Sequence, residues 1–248
     1  MIEMLISFME SPIIRYSLYE QIYDKFLIPK EKFIFSVSNY IADINFGSIS
    51  YNLKNNLIFY LNYLNSGKIQ KFDESGNFIG EFYANFINFS LYKNYFKFNV
   101  PNDLNLDIYF KFNVHYESII KNDLNLSLGA YYSKTIKNIN LNLFFDYLGL
   151  NTPIIFGING NYENFSINIS YELGYNTIYN IAYKTTISRN LILYISYSNR
   201  YSDFNISKDL LTGFLAGIEI NFKKYKIGYG IRSLSEYGFL NTIQVAYE

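Results

Sequence analysis

The chain has 248 residues, 50% hydrophobic and 20% aromatic, with 27 Tyr, 23 Phe, no Trp, no Cys and a formal net charge of +0. Lacking Cys, it forms no disulfide and no thiolate metal site. Lacking a basic excess or a basic run, it has no electrostatic footprint for nucleic acid, whose binding depends on neutralising phosphates.

The first element is a short apolar run from Met1 to Met9, interrupted by Glu3 and preceded by no Lys or Arg. An export signal needs a basic start and a longer apolar core, so an incomplete or atypical start is expected. Between Ser11 and Lys32, Tyr16, Tyr19, Ile22, Tyr23 and Phe26 recur at three- and four-residue spacing, with Glu20, Gln21, Asp24 and Lys25 between them. That period predicts a short amphipathic helix closed by Pro29. Two placements stay open for it: packed on a sheet, or lying in or across the mouth of a barrel as a plug.

After Lys32 the period falls to two. Strands are expected over Phe33 to Ile41, Ile44 to Leu53, Leu57 to Ile69, Phe78 to Tyr92, Tyr95 to Val100, Leu104 to Tyr116 and Leu124 to Ile136. They continue over Ile139 to Leu148, Ile154 to Tyr162, Phe165 to Leu173, Ile178 to Ile187, Leu191 to Tyr201, Leu211 to Phe222, Tyr225 to Leu234 and Phe239 to Tyr247. Lys54-Asn55-Asn56, Lys121-Asn122-Asp123, Lys137-Asn138 and Glu163-Asn164 read as hairpin turns, because Asn tolerates left-handed backbone. Two connections are longer, Lys71 to Asn77 and Ser202 to Asp209. Pro12, Pro29, Pro101 and Pro153 all fall outside the strands.

The segment Leu104 to Tyr116 shows what these strands face. Leu104, Leu106, Ile108, Phe110, Phe112, Val114 and Tyr116 share one side, and Asn105, Asp107, Lys111, Asn113 and His115 the other. A long series of such strands with short turns predicts an all-β fold: a transmembrane antiparallel β-barrel of about 14 strands. No run approaches the roughly 20 apolar residues of a membrane helix. The expected division is an N-terminal plug or helical segment, 1–32, and a barrel, 33–248.

Outward positions such as Phe165, Ile167, Ile169 and Tyr171, or Phe214, Ala216, Ile218, Ile220 and Phe222, form the lipid-facing band, with Tyr supplying the interfacial girdle. Ionisable groups facing lipid are costly, so Asp107, Lys111, His115, Glu117, Asp146, Glu172, Lys184, Arg200, Glu219 and Arg232 are assigned to the lumen. There they are expected to pair with one another. A barrel this wide is not filled by its own side chains, so a plug or water occupies it. No cofactor is implied and no enzymatic motif is found: His115 lacks a Cys companion, and nucleophile-elbow, P-loop, dinucleotide and zinc-protease patterns are missing.

Two segments carry a family resemblance. Ser36-Val37-Ser38-Asn39-Tyr40-Ile41-Ala42-Asp43-Ile44 with Gly47-Ser48-Ile49-Ser50-Tyr51 resembles the early strand pair of PorV/PorQ barrels, within the wider FadL-like superfamily. Gly67-Lys68-Ile69 followed by Asp73-Glu74-Ser75-Gly76-Asn77-Phe78-Ile79-Gly80-Glu81-Phe82-Tyr83-Ala84 is similar to a loop of the same proteins. Gly213, Gly217, Tyr229-Gly230, Leu234 and Gly238 are placed like that family's last hairpins. The resemblance implies a fourteen-strand outer-membrane barrel of a diderm bacterium with a small N-terminal plug. It also implies a non-enzymatic role in type IX-like secretion, as an accessory or cargo-binding barrel. The alternative it implies is a FadL-like transporter of hydrophobic small molecules with a lateral opening in the wall. The missing signal peptide motivates a third reading, a soluble β-rich binding protein. Expected partners are therefore membrane lipid, with secretion-system proteins, exported cargo or a hydrophobic small molecule. The chain departs from the family pattern in lacking an Asn-Pro-Ala element before the first strands and in ending with Tyr247-Glu248.

Overall fold

A computed structural model describes residues 31–39, 44–53, 57–83, 85–100, 104–117, 123–136, 139–147, 154–173, 177–199, 211–235 and 238–248. The expected helix before residue 31, the four prolines, Arg200 and the Ser202 to Asp209 connection lie outside them. Lys32 leads directly into the first strand.

The strands are β1 (Phe33–Asn39), β2 (Asn45–Leu53), β3 (Leu57–Asn65), β4 (Ile69–Phe72), β5 (Phe78–Phe82), β6 (Asn85–Val100), β7 (Leu104–Glu117) and β8 (Asp123–Ile136). They are followed by β9 (Ile139–Tyr147), β10 (Ile154–Tyr162), β11 (Phe165–Glu172), β12 (Thr177–Ser188), β13 (Leu191–Ser198), β14 (Phe214–Phe222), β15 (Tyr225–Ser233) and β16 (Phe239–Tyr247). The all-β, antiparallel expectation holds. Three expected strands are divided or joined differently, one being Phe78 to Tyr92, which is split after Phe82 with β6 beginning at Asn85. Leu57 to Ile69 is broken after Asn65, where Gly67 turns the chain at positive φ into a separate β4–β5 hairpin. In contrast, Asn85 to Val100 is one strand, because a bulge at Asn94/Phe96 absorbs the change of face near Tyr95 without ending the pairing.

All strands but β4 and β5 form a closed barrel, sealed where β1 pairs β16 from Phe33↔Tyr247 to Asn39↔Asn241. Closure removes the free edges that would otherwise expose unpaired backbone groups to lipid. The strands are tilted. One rung of register pairs runs from Asn85 through Asn65, Asn45, Asn39, Asn241, Ile231, Ala216, Ile195 and Tyr183 to Phe165. It starts at one end of the barrel wall and finishes beside the Glu163-Asn164 turn at the other.

The ends differ in loop length. Strands joined at 163–164, 189–190 and 223–224 have two-residue turns, and that end also carries the first residue of β1 and the last of β16. The opposite end carries the longer connections, including 66–84 with its hairpin and 199–213. Short turns at one end and long loops at the other are the ordinary asymmetry of outer-membrane barrels.

Candidate functional surfaces

Burial on this barrel is inverted relative to a water-soluble core. Phe165, Ile167, Ile169, Ile195, Ile220, Phe222, Ile227 and Ile243 are exposed, while Ser36, Ser38, Asn159, Asn168, Asn180, Ser196 and Thr242 are buried. The two sets alternate along the same strands, so the uniformly apolar face is the outside of the closed sheet and the face that carries the buried polar groups, together with Ile58, Leu64 and Leu215, is its inside. Aromatic rings mark both edges of the outer band. Phe165–Tyr183 and Tyr225–Tyr247 sit at the short-turn end, and Tyr179–Tyr197, Tyr197–Phe214 and Phe156–Tyr171 at the long-loop end. On β14 the band runs from Phe214 to Phe222. Eight residue steps are about 27 Å of strand, or about 20 Å in height at a 40° tilt, close to the apolar band of a transmembrane barrel.

The inner wall mixes small polar groups in register with buried apolar residues such as Ile58, Leu64, Ile192 and Leu215. Gln244, Ser36, Ser48, Asn62, Asn88, His115 and Asp123 form one rung across consecutive strands, with His115 in register between Asn88 and Asp123. Asn142, Asn159, Asn168 and Asn180 form another. Asp107 lies opposite Lys97, a complementary cross-strand position. Lys111 lies opposite Tyr92 and Ser127, and Glu117 opposite Phe86. Asp146 and Glu172 share a rung with Ile155 between them. Nine of the ten residues assigned to the lumen from sequence thus hold register positions on a single sheet face; Arg200 lies outside the described residues.

Three of them have described side chains, and their partners differ from the expected ion pairs. Lys184 sits 5.6 Å over the ring of Tyr194, whose hydroxyl donates to Glu219 Oε2 at 2.9 Å. Register explains this: Lys184 pairs with Tyr194, but Glu219 pairs with Ile192, so the two charges are on strands separated by β13 and meet through its tyrosine. Arg232 is fully buried and donates from Nη1 to the Gly213 carbonyl at 2.6 Å. Removing a charged donor to a buried carbonyl costs about 2–3 kcal/mol. Arg232→Ala is therefore expected to lose about that much stability by urea titration in micelles, whereas Glu163→Ala at an exposed turn should be within about 0.5 kcal/mol of wild type.

Sequence inspection missed two features. At the short-turn end, Lys226 on β15 bonds Glu31 at 2.8 Å and Glu248 at 2.6 Å, tying the approach to β1 and the residue after β16 to a third strand. Partners 195 residues apart leave no local signal. The Lys226 ammonium holds the Glu248 carboxyl below its ordinary value of 4.5, chiefly by the hydrogen bond and then by charge. A depressed carboxyl stabilises the fold above its unfolded pKa and loses that contribution as pH falls through the folded one. The stability difference between wild type and Glu248→Gln is thus expected to be full at neutral pH, to decline as pH falls below the ordinary carboxyl value of 4.5, and to vanish only below the depressed value of the folded carboxyl. Denaturant midpoints measured across that range check it.

The second feature is the β4–β5 hairpin, which pairs with no other strand. Its turn is rigid: Asp73 Oδ1 accepts from the amides of Ser75 and Asn77, and Oδ2 from the Asn77 side chain. Those donors, the Asn77 amide foremost, hold the Asp73 carboxyl below its ordinary range. Above the turn Phe72 and Phe78 meet edge to face at 6.0 Å and, with Ile79 and Tyr83, remain exposed.

An apolar outer band edged by aromatics, an inner face that carries the buried polar groups and unequal loop lengths define the fold class as an outer-membrane β-barrel. The outer membrane protein Omp33 of Acinetobacter baumannii has a similar fold: the match covers 88% of this chain and 98% of that one at TM-score 0.51, with 8% identity. CdiB of the same organism matches over 88% of this chain and 60% of its own, at TM-score 0.39 and 9% identity. No protein-family model and no curated protein matches the sequence.

Among the described residues no group of three or more His, Asp or Glu converges in a way that could hold a metal ion. The described inner side chains offer amides, hydroxyls, single charges held by neighbours and a buried apolar cluster of Ala182, Ile192, Tyr194 and Leu215.

Proposed function

We propose that this protein is an occluded, non-enzymatic barrel of the outer membrane of a diderm bacterium, acting in type IX-like secretion as a barrel of the PorV/PorQ type that holds exported protein at its long-loop end. The β4–β5 hairpin carries this reading. An isolated two-stranded hairpin is marginal in water. This one nevertheless presents Phe72, Phe78, Ile79 and Tyr83 beyond the barrel wall on a turn stiffened by Asp73. Exposed aromatics on a pre-organised element are what a protein-docking surface needs. The burial of small polar wall residues supports occlusion, because a barrel of this size is not filled by its own side chains.

The competing transporter of hydrophobic compounds needs an apolar passage and a break in the wall. The described inner face mixes Ser, Asn, Thr and Gln with apolar residues such as Ile58, Leu64, Ile192 and Leu215, but every neighbouring strand pair of the ring has a ladder, which speaks against a break in the wall. A soluble binding protein fits poorly, because such proteins rarely leave apolar patches larger than a few hundred Å² uncovered.

The test is site-specific photocrosslinking from position 78 in cells that export sorting-signal proteins. Adducts with exported protein, reduced by Phe72→Ser, are expected. Adducts with lipid alone, or none to exported protein, would overturn the docking role. Steady ion conductance by the purified protein in planar bilayers would overturn occlusion.

A further inference from the structure

The outer face carries one polar line that neither the lipid-facing band nor the docking role requires. Asn241 on β16, Asn39 on β1, Asn45 on β2, Asn65 on β3 and Asn85 on β6 are direct register neighbours, one per strand across adjacent strands. They stand on the apolar side, alternating with Val37, Tyr63, Ile87 and Ile243. Their amides are joined laterally: Asn39 Nδ2 donates to Asn45 Oδ1 at 2.9 Å, and Asn65 Nδ2 to Asn85 Oδ1 at 2.7 Å. Two tyrosines add to the line, with Tyr63 donating to Asn85 and Tyr229 to Asn241, each at 2.9 Å. Asn65 also accepts from the Gly67 amide, fixing the foot of the β4–β5 hairpin to the same line.

The position of the line is set by strand tilt. Each step along a rung of strands tilted about 40° changes height by about 3 Å. From Asn241, level with the upper aromatic edge near Phe214, the line climbs about 12 Å to Asn85 beneath the hairpin. It therefore leaves the apolar band at its long-loop edge and rises through the layer where lipid headgroups lie. The line itself has no charged member, so it is matched neither to phosphate nor to an ionic partner. Amides that both donate and accept, beside tyrosine rings, are matched to sugar hydroxyls and the apolar faces of sugar rings.

We propose that this asparagine line is a binding site for the sugar headgroup of an outer-leaflet glycolipid, whose acyl chains lie on the apolar band immediately below. This rests on the outer-membrane reading of the long-loop end as external. It assigns β16, β1, β2, β3 and β6 a lipid specificity that the rest of the wall lacks.

Native mass spectrometry of the full chain released from nanodiscs tests it. The nanodiscs contain phosphatidylcholine with equal small amounts of diglucosyl diacylglycerol and phosphatidylglycerol. The wild type should retain the diglucosyl lipid over either phospholipid. The triple variant Asn39→Ala, Asn65→Ala, Asn241→Ala should lose about tenfold of that retention, as removal of several neutral hydrogen bonds would give. Lys224→Ala, at the short-turn end, should retain the lipid like wild type. Heat-modifiable migration establishes that each variant is folded, and Asn241→Ala alone, with a smaller expected loss, serves should the triple variant not fold. Equal retention of all three lipids by wild type would overturn the proposal, as would undiminished glycolipid retention by the folded variants. So would a second copy of the chain found on this face, seen as dimers that the substitutions dissociate. Failure of the wild type to enter nanodiscs would overturn the membrane reading itself, a result distinct from loss of lipid preference in an inserted barrel.

Discussion

Gly213→Ala is expected to abolish stable folding of the barrel, or to cost at least about 3 kcal/mol where folded protein is recovered. Gly213 has φ 88°, and a Cβ there would lie 2.2 Å from the Ser198 carbonyl oxygen, backbone that cannot swing aside. Two neighbouring strands and a buried side chain meet at this residue. Its amide donates to Ser233, its carbonyl accepts from Ser198, and the same carbonyl receives Arg232. The chain re-enters the wall here to start β14, so relief of the clash would have to separate β13 from β15. Gly76→Ala gives the contrast, since its φ of 81° is also positive but nothing lies within 4 Å of a Cβ there. That variant should show only the backbone strain, about 1 kcal/mol, confined to the hairpin. Heat-modifiable migration and urea titration followed by circular dichroism separate the two outcomes.

The wall was legible in the sequence because the period-two alternation of a membrane barrel is imposed at every residue by two different solvents. Phe214, Ile218, Ile220 and Phe222 could be placed outside from their spacing alone, and they are exposed in the structure. Pattern failed where backbone geometry, not side-chain chemistry, decided the path. Ile69 continues the alternation of β3 in sequence, yet the chain turns away at Ser66-Gly67. Lys93-Asn94 reads as a strand break, yet a bulge keeps β6 whole. The partners of the charges were not legible. Whether Lys184 meets Glu219 directly or through Tyr194 depends on the register of three strands, and no spacing within one strand records it. The asparagines tell the same story from the other side. Asn39, Asn45, Asn65, Asn85 and Asn241 look like ordinary strand-end residues until register sets them side by side.

A depth series on β14 is expected to show that lipid covers the outer face. Ile218 lies midway between Phe214 and Phe222 on the exposed side of that strand, and Phe222 ends it beside the Lys223-Lys224 turn. Arginine in place of Ile218 should destabilise the barrel by about 2–4 kcal/mol, because the guanidinium must be drawn from the hydrocarbon centre to an interface. The same substitution at Phe222 should cost only about 0–1 kcal/mol, since its side chain already reaches the headgroup level. The measurement is reversible unfolding in urea from phosphatidylcholine vesicles, with circular dichroism as the signal because the chain has no Trp. A water-covered outer face would make both substitutions nearly neutral, within about 0.5 kcal/mol. A face buried against protein would penalise both alike. Only a bilayer grades the penalty with height, so the difference between the two variants, more than either value, decides what surrounds this barrel.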